Sequence, residues 1–95
     1  MKISLGKNEI IHFVGIGGIG MSGLALIMKD LGFNIKGSDR SNSKNIDRLK
    51  KNKINVAIGH KKKNLSNATI IVISSAIKKN NPEYLEAKKK KYLFH

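Results

Sequence analysis

Gly15, Gly17 and Gly20 stand at the first, third and sixth positions of Gly15-Ile16-Gly17-Gly18-Ile19-Gly20, the spacing of a dinucleotide-binding turn. The chemistry this pattern offers is electrostatic. Backbone N–H groups can approach a phosphate there, and a helix starting at the turn points its positive end at the negative charge. Gly15 is expected to make the turn, Gly17 to admit the phosphate, and Gly20 to let the helix pack on the sheet. Asp39 follows Gly20 by 19 residues, where such folds place the acid that bonds ribose hydroxyls; the other reading is an exposed turn aspartate. Ser38 is either a base or sugar contact or a turn hydroxyl. His60 could bond a phosphate or ribose, although a lone loop histidine more often makes local hydrogen bonds. Ser74 and Ser75 are candidate ligand contacts, but no Gly-x-Ser-x-Gly elbow surrounds them, so neither is a nucleophile. His12, inside an apolar run beside Phe13, is expected to be structural.

Other chemistries find no support. The chain has no cysteine, its histidines show no metal-ligand spacing, and it has neither a carboxylate cluster for magnesium nor a Gly-x-x-x-x-Gly-Lys-Ser/Thr loop for ATP. No metal site is expected, and no catalytic residue.

The elements that must hold these groups follow from patterning. Ile10–Val14 is a short apolar run ending at glycine and reads as a buried strand. From about Gly18 to Leu31, Met21, Leu24, Ala25, Ile27, Met28 and Leu31 recur at helical spacing and should face inward, with Gly32 ending the helix. Phe33–Gly37 is a second strand, with Ser38-Asp39 at its end. Ser41-Asn42-Ser43 precedes a helix over 44–51 that turns Ile46, Leu49 and the stem of Lys50 inward. Asn55–Ile58 is a third strand ending at Gly59-His60, and 61–67 is a loop or short helical turn. Thr69–Ile73 is wholly β-branched, as in a central parallel strand, and ends at Ser74-Ser75-Ala76. Asn81 is an N-cap with Pro82 at the first helical position, and Tyr84, Leu85 and Ala87 form that helix's apolar side. Tyr92-Leu93-Phe94 opens a last strand.

Strand and helix alternate with short connections. The expected fold is therefore α/β, a Rossmann-like parallel sheet of four to five strands with flanking helices, ordered 3-2-1-4-5. The ligand should lie at the C-terminal strand ends, near the switch point between strands 1 and 4. Four strand ends carrying small or polar groups (Gly15–Gly20, Ser38-Asp39, Gly59-His60, Ser74–Ala76) should converge there.

Size and charge bound the remaining classes. Ninety-five residues make one small domain. The start of the chain has no signal-peptide pattern and no run reaches the ~20 apolar residues of a membrane span, so a cytoplasmic protein without membrane contact is expected. The net charge of +13 suggests a nucleic-acid or acidic-lipid surface. Against that, Lys, Asn and Ile number 17, 10 and 14, Arg only two, and aromatics 5%. Sequence-specific readout leans on Arg, and single-strand grooves on interleaved aromatics. The favoured reading is a solvated lysine coat of the kind an A+T-rich genome encodes, with no nucleic-acid partner.

Taken together, Ile11-His12-Phe13-Val14-Gly15-Ile16-Gly17-Gly18-Ile19-Gly20-Met21-Ser22-Gly23-Leu24-Ala25 closely resembles the opening of the alanine-adding ligases of the Mur ligase family. Gly37-Ser38-Asp39, Ile58-Gly59-His60, Val72–Ile77 and Asn81-Pro82-Glu83 match in order and spacing. The resemblance covers about residues 10–94. It implies a Rossmann-like N-terminal domain, here 1–95, that binds the UDP part of UDP-N-acetylmuramate in peptidoglycan synthesis. The backbone of Gly15, Ile16, Gly17, Gly18, Ile19, Gly20, Met21 and Ser22 would hold the diphosphate. Ser38 and Asp39 would lie near uridine, and His60, Ser74, Ser75 and Ala76 would line the same pocket. ATP and magnesium belong, by the same resemblance, to a central domain this chain lacks, and a third domain helps bind the amino acid. The chain alone is expected to be inactive as a ligase. An NAD(P)-binding module is the alternative, compatible with the glycine spacing and Asp39 but not with the Met-Ser-Gly ending. A basic nucleic-acid-binding domain is the second alternative.

Overall fold

The computed structural model describes residues 6–90 and 93–94; the readings made at Met1–Leu5, Tyr92 and His95 lie outside the described residues. In chain order the elements are β1 (Ile10–Val14), α1 (Ile19–Asp30), β2 (Asn34–Asp39), α2 (Lys44–Lys51), β3 (Asn55–Ile58), a 3₁₀ turn (Lys62–Leu65), β4 (Ile70–Ile73), α3 (Pro82–Lys90) and β5 (Leu93–Phe94). The sheet is ordered β3-β2-β1-β4-β5 and every pairing is parallel, as the alternation of elements required.

Register decides which side chains share a face. His12 pairs with Lys36 and Ile71, and Val14 with Ser38 and Ile73. In-register neighbours in a sheet point to the same side, and successive residues to opposite sides. One side therefore carries Ile11, Phe13 and Ile35, packed with Ala25 of α1 and Ile46 and Leu49 of α2. The other carries His12, Lys36 and Ser38 beside Val14, Ile71 and Ile73, the last three packed with Leu65 of the 3₁₀ turn and Ala87 of α3.

Local capping matches the sequence. Ser43 Oγ accepts the Ile46 N–H at 3.2 Å at the start of α2. Asn81 Oδ1 accepts the Glu83 N–H at 2.9 Å at the start of α3. Gly32, with φ +94°, closes α1, its N–H donating to Lys29 O.

Four expectations need correction. β2 runs two residues further than Gly37, because Ser38 and Asp39 pair with Ala57 and Ile58 of β3. On α1, Leu24, Ile27 and Leu31 are exposed; the helix meets the sheet along Ser22 and Ala25, small residues that let it lie close. The Lys50 stem is exposed. On α3, Leu85 is 49% exposed, while Glu83 is wholly buried.

Candidate functional site

The glycine turn is stitched to the end of β2. Gly15, at φ +80°, makes the turn in a conformation that L side chains rarely adopt. The N–H groups of Gly15 and Ile16 donate to Ser38 O at 2.9 and 3.0 Å. The Gly17 N–H donates to Asp39 Oδ2 at 2.8 Å, and its carbonyl accepts from Asn45 Nδ2 at 2.9 Å. A Cβ on Gly17 would stand 2.8 Å from Asp39 Oδ2 and 2.9 Å from Ile46 Cδ1, so a larger residue there would have to displace the Asp39 carboxylate and the tip of Ile46. Gly20 does not serve helix–sheet packing, since a Cβ there would meet nothing within 4 Å. The crowded glycine is Gly37 of β2, where a Cβ would fall 2.8 Å from both Ile16 Cβ in the glycine turn and Phe13 O in β1.

Helix α1 opens directly from this turn. Gly18 occupies the N-cap, no side chain caps the helix, and its first turn holds no acid. The first-turn N–H groups and the positive end of the helix are thus open to an anion.

A cleft of about 720 Å³ lies at the C-terminal ends of the strands, within the roughly 300–1,000 Å³ of small-molecule sites. Gly15, Gly17 and Gly18 line it from the end of β1, Asp39 from β2, His60 from β3, and Ser74 and Ala76 from β4. The four strand ends meet. Two cations line it as well, Arg40 and Lys78; the sequence reading passed over both, although Arg40 directly follows Asp39. Other candidates lie outside this lining. Ile16 is in the core, Ser22 is buried with its hydroxyl donating to Ile19 O at 3.2 Å, and Ser38 is fully buried. Ile19, Gly20, Met21 and Ser75 do not line the cleft either.

Asp39 does structural work at the cleft wall. Its Oδ2 accepts from Gly17, and its Oδ1 accepts the Arg40 N–H at 2.8 Å. It clasps the glycine loop to the end of β2 from its place in the lining.

Behind the cleft lies a buried polar network that sequence reasoning missed. Glu83 Oε1 accepts from His12 Nε2 and from Ser38 Oγ, each at 2.7 Å. Its Oε2 accepts from His60 Nδ1 at 3.0 Å, Asn64 Nδ2 at 3.0 Å and the Lys61 N–H at 3.2 Å. Burial pushes the Glu83 carboxyl up, but hydrogen bonds from His12, Asn64 and Ser38 outweigh it and bring it down to about 2. Lys36 lies beside the network, its ammonium donating to Asn64 O at 2.8 Å and Ser66 O at 2.7 Å. Burial lowers its pKa, with the charge of Glu83 pulling the other way. The signal available in sequence was the Asn81-Pro82-Glu83 cap, which puts an acid in the first turn of a helix. Nothing in it told that the carboxylate turns inward. His12 is structural, as expected.

Among the described residues no group of three or more His, Asp or Glu could hold a metal ion, and no helix is long and apolar enough to cross a membrane.

Residues 10–95 match the Mur ligase family, catalytic domain. The chain is 71% identical over 90 residues to a UDP-N-acetylmuramate–L-alanine ligase of Pelagibacter ubique, which covers 95% of this chain and 19% of that protein. It is 59% identical over the same length to the corresponding ligase of Bartonella bacilliformis. The chain thus spans about a fifth of the length of these relatives. Among solved structures, the UDP-N-acetylmuramate-alanine ligase of Thermotoga maritima superposes with a TM-score of 0.83 at 32% identity, over 88% of this chain and 20% of that one.

Proposed function

The chain belongs to the Mur ligase family, and from that premise we propose that residues 1–95 are the N-terminal substrate-binding domain of a UDP-N-acetylmuramate–L-alanine ligase. Its cleft takes the UDP part of UDP-N-acetylmuramate. The observation that carries the reading is the uncapped N-terminus of α1, opening from the glycine turn at the β1 end of the cleft. A diphosphate is the anion that fits it, lying against the first turn of α1 at the edge of the cleft that Arg40 and Lys78 line, since the N–H groups of Gly15, Ile16, Gly17 and Gly18 are taken within the loop. Asp39, His60, Ser74 and Ala76 form the wall against which uridine or sugar would lie. Ser38 serves the same wall from behind, through its bonds to Glu83 and His60.

In the complete ligase, which works in the cytoplasm, ATP and magnesium are supplied by a further domain. There the lactyl carboxylate of the sugar is activated as an acyl phosphate, and the amine of L-alanine attacks it. This chain contributes substrate binding alone and releases no phosphate from ATP in the presence of UDP-N-acetylmuramate and L-alanine.

Titration calorimetry with UDP-N-acetylmuramate, UDP and NAD tests the assignment. Binding of both uridine compounds, with NAD weak or silent, is expected. Tight NAD binding without UDP binding would replace the reading with a nicotinamide-dinucleotide module. Strong, steeply salt-dependent binding to DNA in place of either would point to a nucleic-acid domain.

A further inference from the structure

The buried carboxylate of Glu83 stands between the core and a residue of the cleft. Glu83 enters from α3 and His60 from the turn after β3, yet His60 Nδ1 lies 3.0 Å from Glu83 Oε2 and 3.1 Å from Ser38 Oγ. An ionised carboxylate only accepts hydrogen bonds, so His60 Nδ1 must carry its proton. Ser38 cannot reverse that direction, because its own hydroxyl proton goes to Glu83 Oε1.

The backbone around the ring is held by the same carboxylate. The Lys61 N–H donates to Oε2. Asn64 Nδ2 reaches both Gly59 O at 2.9 Å and Oε2 at 3.0 Å, which ties down the turn where Gly59 has φ +97°. His60 is thus fixed at its Nδ1 edge and along its flanking backbone. His60 lines the cleft, and the hydrogen bonds its ring makes among the described residues all use Nδ1, none Nε2.

We propose that Glu83 is a positioning residue of the cleft, which by accepting the Nδ1–H of His60 holds that ring with Nε2 presented to the bound nucleotide. With Nδ1 protonated, Nε2 of the neutral ring is a lone-pair acceptor. The group it takes is a donor on the nucleoside, a ribose hydroxyl or the uracil N–H. The arrangement has the logic of a second group that orients a histidine through its far nitrogen. The identity of the ligand rests on the reading of the cleft as a UDP-sugar site; the Glu83–His60 link does not.

Two measurements on the 95-residue chain test it. Nitrogen-15 correlation spectra of the histidine rings, recorded above neutral pH, should show His60 as the Nδ1–H tautomer. Glu83→Gln, whose amide offers both a donor and an acceptor, should lose that preference. An Nε2–H ring in the unaltered chain overturns the proposal. Calorimetry with UDP-N-acetylmuramate should then show Glu83→Gln and His60→Ala each weakening binding by about tenfold. The double variant should be no weaker than His60→Ala alone, whereas independent, additive losses overturn the proposal. Should Glu83→Gln fail to fold, the unaltered chain still decides. An Nδ1–H ring whose Nε2 signal moves when UDP-N-acetylmuramate is added supports the proposal, and an unmoved signal on a chain that binds overturns it. If no uridine compound binds, the functional reading fails by itself, while the tautomer still judges the link between Glu83 and His60.

Discussion

On the side of the sheet covered by α1 and α2, Ile11, Phe13 and Ile35 meet Ala25, Ile46 and Leu49 in continuous hydrocarbon. On the side covered by α3 and the 3₁₀ turn, the same strands present His12, Lys36 and Ser38, and the helix answers with a carboxylate. The first face is held by burial that is non-directional and tolerates any residue of about the right size and shape. The second has its own apolar cluster of Val14, Leu65, Ile71, Ile73 and Ala87, and adds to it directed hydrogen bonds, in which one missing partner leaves several donors unpaired. That second face is also the one joined to the cleft, through His60. A cleft wall is kept rigid there by being tied to a polar cluster that has few alternative arrangements.

The largest effects should come from truncating the centre of each face. Phe13→Ala and Glu83→Ala are each expected to cost about 3–5 kcal/mol near neutral pH, the first by leaving a cavity and the second by stranding buried donors. Urea unfolding across pH separates them. The Glu83 carboxyl titrates near 4.5 when unfolded and at about 2 when folded, so its ionisation adds stability above pH 4.5 that is lost as pH falls through 2. That contribution is about 3 kcal/mol. The penalty of Glu83→Ala should therefore shrink across this window while that of Phe13→Ala persists. Parallel curves for the two variants would erase the distinction between the faces.

A smaller effect probes how tightly the apolar face is filled. Gly37→Ala places a Cβ 2.5 Å from Ile16 Cδ1 and 2.8 Å from Phe13 O, and should cost about 1–3 kcal/mol in the same assay. A neutral outcome would mean that the glycine turn can shift to make room. The smallest effect has the opposite sign. Gly20→Ala adds a methyl group into open space within α1, and should stabilise by about 0.5–1 kcal/mol in thermal unfolding. A loss of stability would restore Gly20 to the packing role its spacing suggested.

The two faces also differ in how they can be read from sequence. The apolar side was legible: β1, α2 and β3 fall at their expected bounds, because Ile11, Phe13, Ile46 and Leu49 repeat at strand and helix periods. α1 was legible as a helix and in part of its inward face, since Ala25 is buried and Met21 and Met28 pack on the core. Leu24, Ile27 and Leu31 make an apolar stripe that the structure leaves exposed, since Ser22 and Ala25 allow closer approach to the sheet. On α3 the pattern held for Ala87, which is buried, and for Tyr84, which packs beside it, but not for Leu85. Leu85 faces solvent because the helix is turned by Glu83, two residues after the cap, toward His12 and His60. Of the cleft, the strand ends could be named in advance, and Arg40 could have been from its place next to Asp39, while Lys78 could not, one lysine among 17 giving no sign of its place.

By itself, the sequence determined the alternation of strands and helices, hence the parallel sheet and its order, and the glycine turn at the end of β1. These follow from local periodicity and from backbone conformations that few residues allow. Only the tertiary structure decided that Asp39 clasps the loop, that Ser38 turns away from the cleft, and that Glu83 lies at the centre of a buried network. A carboxylate's partners come from β1, β2, the turn after β3 and the 3₁₀ turn, and no pattern along one chain reports a contact such as His12 to Glu83, made across 71 residues.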